Sequence, residues 1–164
     1  GSRCFFGCVK LSNVRLSENL KTIGSYAFSA CEKLQNIVIP ASVSQIEKEA
    51  FSYCLALDTV DFSECTELTI EDSAFTNCTA LKTIAMPEGL KTLGEKVFSS
   101  CTALEKVLLP GSLENIGYGL FYNTPELRVL EYKGNSSAWK KVEKAKDWDE
   151  FAGTNTIKYV KSGN

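Results

Sequence analysis

Leu34-Gln35-Asn36-Ile37-Val38-Ile39-Pro40-Ala41-Ser42-Val43-Ser44-Gln45-Ile46-Glu47-Lys48-Glu49-Ala50-Phe51-Ser52-Tyr53-Cys54 is the stretch whose reading decides the fold. Its apolar residues change period twice. Ile37 and Ile39 alternate with polar or outward positions, the signature of a short half-buried strand. Pro40 then removes a backbone donor and pins φ, which ends the strand and bends the chain. Val43 and Ile46 mark a second extended piece. Ala50-Phe51-Ser52-Tyr53-Cys54 is too short for an isolated helix and predicts one helical or 3₁₀ turn.

The same pattern recurs on both sides. Leu34 has counterparts at Leu11, Leu57, Leu81, Leu104 and Leu127, at intervals of 23, 23, 24, 23 and 23 residues. Ala27-Phe28, Ala50-Phe51 and Ala74-Phe75 recur, each with a Cys three residues beyond the Phe, and Val97-Phe98 and Leu120-Phe121 are variants. Ser17 and Ser63 replace the Pro, and Thr124 replaces the Cys. Gly24, Gly94 and Gly117 follow the second extended piece, with Glu47 and Glu71 at the equivalent sites. The turn there predicts a relaxing role for Gly, although the two Glu show that positive φ is not obligatory. The extra residue of the third unit falls within Glu64-Cys65-Thr66-Glu67-Leu68.

One such unit cannot bury its own apolar face, whereas stacked units share a continuous core. Equivalent strands then lie about 4.8 Å apart, and six of them form a parallel sheet roughly 25 Å across. Leu, Ile/Val, Phe and Cys ladders fill the inside. The expected architecture is a right-handed solenoid, β-rich with short helical or 3₁₀ turns.

The pattern written by residues 34–54 resembles the BspA-type leucine-rich repeat, and the resemblance covers residues 3 to about 134. On this division residues 1–10 are the tail of a truncated repeat, in which Gly1-Ser2 matches a cloning scar. Residues 11–133 hold five repeats and a final strand, and residues 134–164 form a C-terminal cap. In the cap Ser136 or Ser137 is the expected N-cap of a helix with Trp139, Val142, Ala145 and Trp148 along one side, and Thr156–Val160 reads as a strand. The chain opens in the middle of a repeat, which predicts a longer parent chain. The resemblance implies a non-enzymatic recognition module of a bacterial cell-surface or secreted protein, adhering to host or other cells.

Composition argues in the same direction. The 164 residues carry a net charge of −2, no His and seven Cys. Near-neutral charge makes no electrostatic case for nucleic acid or an anionic membrane. Without His the usual general base and the commonest metal ligand are missing, and no Gly-x-Ser-x-Gly elbow or phosphate loop is present. No catalytic residue, cofactor or metal is assigned. Cys8, Cys31, Cys54, Cys78 and Cys101 share one column, where small buried thiols fit well. A disulfide or a metal site is the alternative, and Cys65 in the inserted turn is the expected exposed thiol.

Surface then carries the function. Arg15, Val38, Asp61, Ala85, Leu108 and Glu131 face outward on the main strands, with Asn36, Thr59, Thr83 and Lys106 two residues before them. These ten residues are the candidate partner-binding face, for a host-matrix or cell-surface protein or a polysaccharide. Tyr26, Tyr53, Tyr118 and Tyr122 on the turns form a rival patch. A spacer without a ligand and an intracellular interaction scaffold are the competing classes, and a monomer is expected.

Overall fold

The computed structural model describes residues 1–150, 152–153 and 156–160. Its elements follow in chain order as β1 (Thr22–Ile23), β2 (Asn36–Val38), β3 (Gln45–Ile46), β4 (Thr59–Asp61), β5 (Thr69–Ile70), β6 (Thr83–Ala85) and β7 (Thr92–Leu93). They continue as β8 (Lys106–Leu109), β9 (Asn115–Ile116), β10 (Val129–Lys133), α1 (Ser136–Lys141), β11 (Glu143–Lys144) and β12 (Ile157–Val160). The chain is a leucine-rich-repeat solenoid with a 23-residue rise and a helix-plus-strand end. Each coil returns in the same direction, so all pairings are parallel. The short strands form one sheet in the order β1-β3-β5-β7-β9-β11.

A third set of coil-to-coil bonds runs through the Ala-Phe turns. Tyr26, Phe28 and Ala30 donate their N–H groups to Lys48, Ala50 and Ser52 carbonyls, at 3.0, 2.8 and 2.8 Å. Glu49, Phe51 and Tyr53 repeat this onto the next coil, as do Ser73, Phe75 and Asn77. These bonds run from the earlier coil to the later one, opposite in sense to those of the short-strand sheet, where Ser44 donates back to Lys21. Intervening residues make the expected i→i−3 bonds, such as Cys31 N–H to Phe28 O at 3.1 Å. No helix propagates, because φ is positive at Tyr26 (59°) and Ala30 (59°) and at their equivalents in every coil. Left-handed residues at both corners turn the segment into linked β-turns rather than a 3₁₀ turn.

The expected single six-stranded main sheet is divided. β2 pairs with β4, and β6, β8, β10 and β12 form a separate sheet, while the Val14–Leu16 region of the first coil is not a strand. The division falls where the third unit carries its extra residue. That insertion packs its Thr66 carbonyl against Gly89, whose φ is +89° and where a Cβ would lie 1.8 Å from the oxygen. At the repeat glycines the reason is different. Gly94 and Gly117 have no positive φ, but a Cβ on either would come within 2.6 Å of the preceding coil. Glu47 and Glu71 answer the same constraint differently, their carboxylates accepting the preceding coil's Ser25 and Lys48 N–H groups at 2.8 and 3.0 Å.

Phe5, Phe28, Phe51, Phe75, Phe98 and Phe121 stack in one file with ring centroids 5.1–6.0 Å apart. Beside them, Cys31, Cys54, Cys78 and Cys101 are buried free thiols. Each donates to a Phe carbonyl of the preceding coil, as Cys54 Sγ does to Phe28 O at 3.2 Å. Thr124 keeps the donor but bonds Phe121 of its own coil. Cys8 belongs to the column yet is exposed. Cys65, expected at the surface, is buried and directs its thiol to Ile39 O: the insertion folds inward, with Cys65 and Leu68 as its apolar contacts. Burial pushes Cys31 and Cys65 up to about 11 and Cys54 and Cys101 to about 12, from an ordinary 9.0.

The C-terminal segment continues the coil instead of only covering it. β11 extends the short-strand sheet and β12 the main sheet, while Asp147 and Trp148 carbonyls accept the last turn-ladder bonds from Gly119 and Phe121. Asn135, rather than either Ser, caps α1 through Oδ1 to Ala138 N–H at 2.9 Å; Ser136 and Ser137 already lie inside the helix. The helix ends at Lys141, so Val142 follows it as the C-cap and Trp148 sits on the later turn, edge-on to Phe121 at 6.1 Å. Lys144 takes the inward position that Ile116 holds in the coil before it. Its ammonium caps the end of α1 at Trp139 O (3.0 Å) and Val142 O, above the Trp139 ring at 4.5 Å, and burial lowers its pKa. Residues 151, 154–155 and 161–164 of the expected cap lie outside the described residues.

Four predictions follow from this packing. Phe75→Ala removes a fully buried ring stacked on both neighbours, and urea denaturation should show a loss of about 3–5 kcal/mol. Gly117→Ala should destabilise by more than the gain of about 0.4–1 kcal/mol that an unstrained Gly→Ala site brings; equal or higher stability would remove the close-approach argument. Thiol titration of the native protein at pH 8 should find Cys4 and Cys8 fast and the other five slow until denaturation. Because folding raises the buried thiol pKa values, their contribution is full below pH 9.0 and lost as pH climbs through about 11 to 12. The fall in Tm above pH 9.0 should therefore be shallower in a Cys54→Ala/Cys101→Ala variant.

Candidate functional site

The register of the main strands determines which outward side chains become neighbours. Asn36 lies beside Thr59 and Val38 beside Asp61 on the first sheet. On the second, Thr83, Lys106 and Val129 form one row, and Ala85, Leu108 and Glu131 form the next. Because strand side chains alternate, Ile37, Val60, Ile84, Val107 and Leu130 point into the core between these rows. Nine of the ten expected face residues are thus brought onto strands. Arg15 is exposed but lies in the first coil outside any strand.

Exposure is uneven across the face. Val38 is 57% exposed. Leu108 is half-buried, in register between Ala85 and Glu131, and Lys106 is tied to Glu131 by an ion pair of 2.9 Å. Asp61 Oδ1 accepts the Ser63 N–H at 2.8 Å, which holds its carboxyl below the usual range. At the division between β4 and β6 lies a cleft of about 400 Å³ floored by Val60, Phe62 and Met86, with Asp61 and Glu88 among its lining residues. Lys133 reaches the cleft from β10 and pairs with Glu88 at 2.6 Å. The arrangement offers shape, a few apolar contacts and compensated charge. It has no nucleophile–base pair, and among the described residues no three His, Cys, Asp or Glu side chains converge as a metal site.

Two residues of this face were missed by sequence reasoning. Lys158 pairs in register with Glu131, and Val160 with Lys133, because β12 returns to the main sheet. No repeat spacing could signal them, since α1 and its flanking loops interrupt the 23-residue register. The rival tyrosines sit on the turns: Tyr53 and Tyr122 are exposed, while Tyr26 and Tyr118 are half-buried. The Tyr26 hydroxyl donates to Glu49 Oε1 at 2.9 Å, and Lys96 lies 5.6 Å from the Tyr118 ring.

Comparison with known proteins locates this architecture. A family model described as the BspA type leucine rich repeat region matches residues 1–133 in six copies. No curated protein matches the chain. Among solved structures, a leucine rich cell surface protein from Faecalibacterium prausnitzii is 30% identical with a TM-score of 0.76, over 81% of this chain and 35% of that one. A leucine-rich repeat protein from Bacteroides ovatus is 36% identical with a TM-score of 0.73, over 80% and 34%. The leucine rich repeat protein of T. pallidum is 33% identical with a TM-score of 0.64, over 69% and 51%. The chain thus spans about a third to a half of the length of these relatives. With six matched copies, the 23-residue coil and the stacked Phe and Cys files, the chain belongs to the BspA-type leucine-rich repeat family.

Proposed function

We propose that the chain is a non-enzymatic recognition module that binds a protein partner across the outward face of its main strands. Its family is one of repeat scaffolds suited to protein interaction. The observation that carries the reading is Val38, 57% exposed at the end of β2, whose backbone is paired with the neighbouring coil. Such a side chain keeps its apolar surface in water at a cost, and it is held rigidly, so little entropy is lost when a partner covers it. Ala85 and Leu108 form a second apolar pair in register on the other sheet, separated from Val38 by Asp61, and Lys106 and Glu131 flank it.

The second part of the proposal places the module on a bacterial surface, adhering to host matrix or other cells. It is supported by the likeness to a protein described as a leucine rich cell surface protein. A chain that binds nothing and only holds another domain at a distance is the competing reading.

The test is surface plasmon resonance against immobilised matrix proteins together with attachment to host cells. Val38→Glu with Leu108→Glu should weaken binding by about tenfold or more, since each buried hot-spot contact is worth about 1–2 kcal/mol. Thr92→Glu, on the short-strand sheet, should leave it unchanged. Unchanged binding in the double variant would remove the strand face as the site, and no binding by the unsubstituted chain to any matrix protein or cell favours the spacer.

A further inference from the structure

The strand face has one junction where neighbouring coils do not share a ladder, between β4 and β6. Thr59 N–H donates to Gln35 O at 3.3 Å and Ile39 N–H to Asp61 O at 2.9 Å, so Thr59 and Asp61 turn their backbone groups toward β2. Val60 and Phe62, alternating with them, turn theirs toward β6. On β6, Lys82 O accepts Lys106 N–H at 3.1 Å and Met86 N–H donates to Leu108 O at 2.9 Å, which leaves Ala85 facing β4. The bond equivalent to Ile39 N–H to Asp61 O would run from Phe62 N–H to Ala85 O. It is not made, and Phe62 N–H has no backbone partner among the described residues.

The cleft of about 400 Å³ opens at this junction, with Val60, Phe62, Ala85, Met86 and Pro87 as its apolar lining. Its charged lining residues are Asp61, Glu88 and Lys133, and the last two pair with each other at 2.6 Å. Asp61 forms no ion pair among the described residues. Its own coil offers no cation, because residues 49–81 hold seven carboxylates and no Lys or Arg. Lys82 stands at the opposite end of β6, and Lys106 is tied to Glu131. Glu64 opens onto a different groove, which Arg15 and Glu18 also line. The cleft therefore joins an apolar floor, one orphan amide and one carboxylate without a cation.

We infer that this cleft takes an extended segment of the partner protein that carries a Lys or Arg. The inference rests on the strand face being the binding surface and names the chemistry of what it binds. An extended segment brings its own backbone donors and acceptors to the groups of Val60, Phe62 and Ala85, as an added strand does at a sheet edge. Its cation meets Asp61, whose Oδ1 is already held by Ser63 N–H at 2.8 Å, so the carboxylate is fixed before the partner arrives. The aliphatic stem of Lys or Arg covers the apolar lining while its charged end stays with the carboxylate. An acidic segment would meet Asp61 with like charge, and a purely apolar one would leave it unpaired.

The test titrates the isotope-labelled chain with heptapeptides in which Thr alternates with Lys, Gln or Glu, followed through backbone amide signals by NMR. The Lys peptide should bind about fivefold tighter than the Gln peptide, the scale of one exposed ion pair, and should move the Val60, Phe62 and Ala85 signals. Asp61→Asn keeps an acceptor for Ser63 N–H and should weaken the Lys peptide about threefold to fivefold. Raising salt from about 50 mM to about 500 mM should weaken it similarly. Ala85→Arg, which sets a cation in the cleft, should remove the preference for Lys over Gln. The spectra themselves verify that each variant keeps the fold. No movement of those three signals, equal binding of the Glu peptide, or undiminished binding in Asp61→Asn would overturn the inference. The two readings fail separately: matrix-protein binding lost in Val38→Glu with Leu108→Glu but unchanged in Asp61→Asn and Ala85→Arg keeps the strand face and removes the cleft. If no matrix protein binds, the face reading falls and the peptide titration still decides the cleft.

Discussion

Coil-to-coil backbone hydrogen bonding is the constraint on which the rest of the structure depends. Every coil must present donors and acceptors to the next at three places: the main strands, the short strands and the Ala-Phe turns. The apolar side chains fill the space between these ladders, but they do not by themselves select a 23-residue circuit. The ladders do, since each buried amide left without a partner costs about 1–3 kcal/mol. The Cys column follows from the same demand. A thiol is small enough for the interior and can still donate to the Phe carbonyl one coil back.

Where a coil departs from 23 residues the ladders respond unequally. The inserted residue interrupts only the pairing of β4 with β6, and the turn ladder and short-strand sheet pass it without a gap. Gly89 makes this possible by admitting the Thr66 carbonyl. The consequence is functional as well as structural. The interruption opens a cleft within the strand face, so one added residue diversifies a surface that is otherwise a regular array.

The surfaces differ because their backbones differ. Main strands alternate inward and outward side chains and mix charge with isolated apolar groups such as Val38. Turns with left-handed corners carry Glu49, Ser73, Lys96 and Gly119 at one corner and Tyr53, Asn77, Ser100 and Asn123 at the other. The end of the stack is treated differently again. Lys144 occupies the inward column where Ile, Leu or Val would continue the core, and its ammonium satisfies the carbonyls at the end of α1. An inward charge at the last coil ends the apolar column there, a device also used to protect sheet edges.

The repeat, its period, the inward columns and the outward positions of the strand face were legible in the sequence because each coil meets the same neighbours. Identical surroundings select similar residues at fixed spacing, so Leu34, Phe51 and Cys54 declare their burial through Leu57, Phe75 and Cys78. What broke the period was not legible. Cys65 looked exposed because its insertion has no counterpart, and its burial depends on the adjacent Ile39 and Pro40 carbonyls. The reason for Gly94 and Gly117 lies in the backbone of the coil below, which no local pattern records. Lys158 joined the strand face only when β12 returned to β10. Sequence alone determined the coil, whose interactions repeat at constant separation; tertiary structure decided the ends, the interruption and the neighbours across coils, where each contact occurs once.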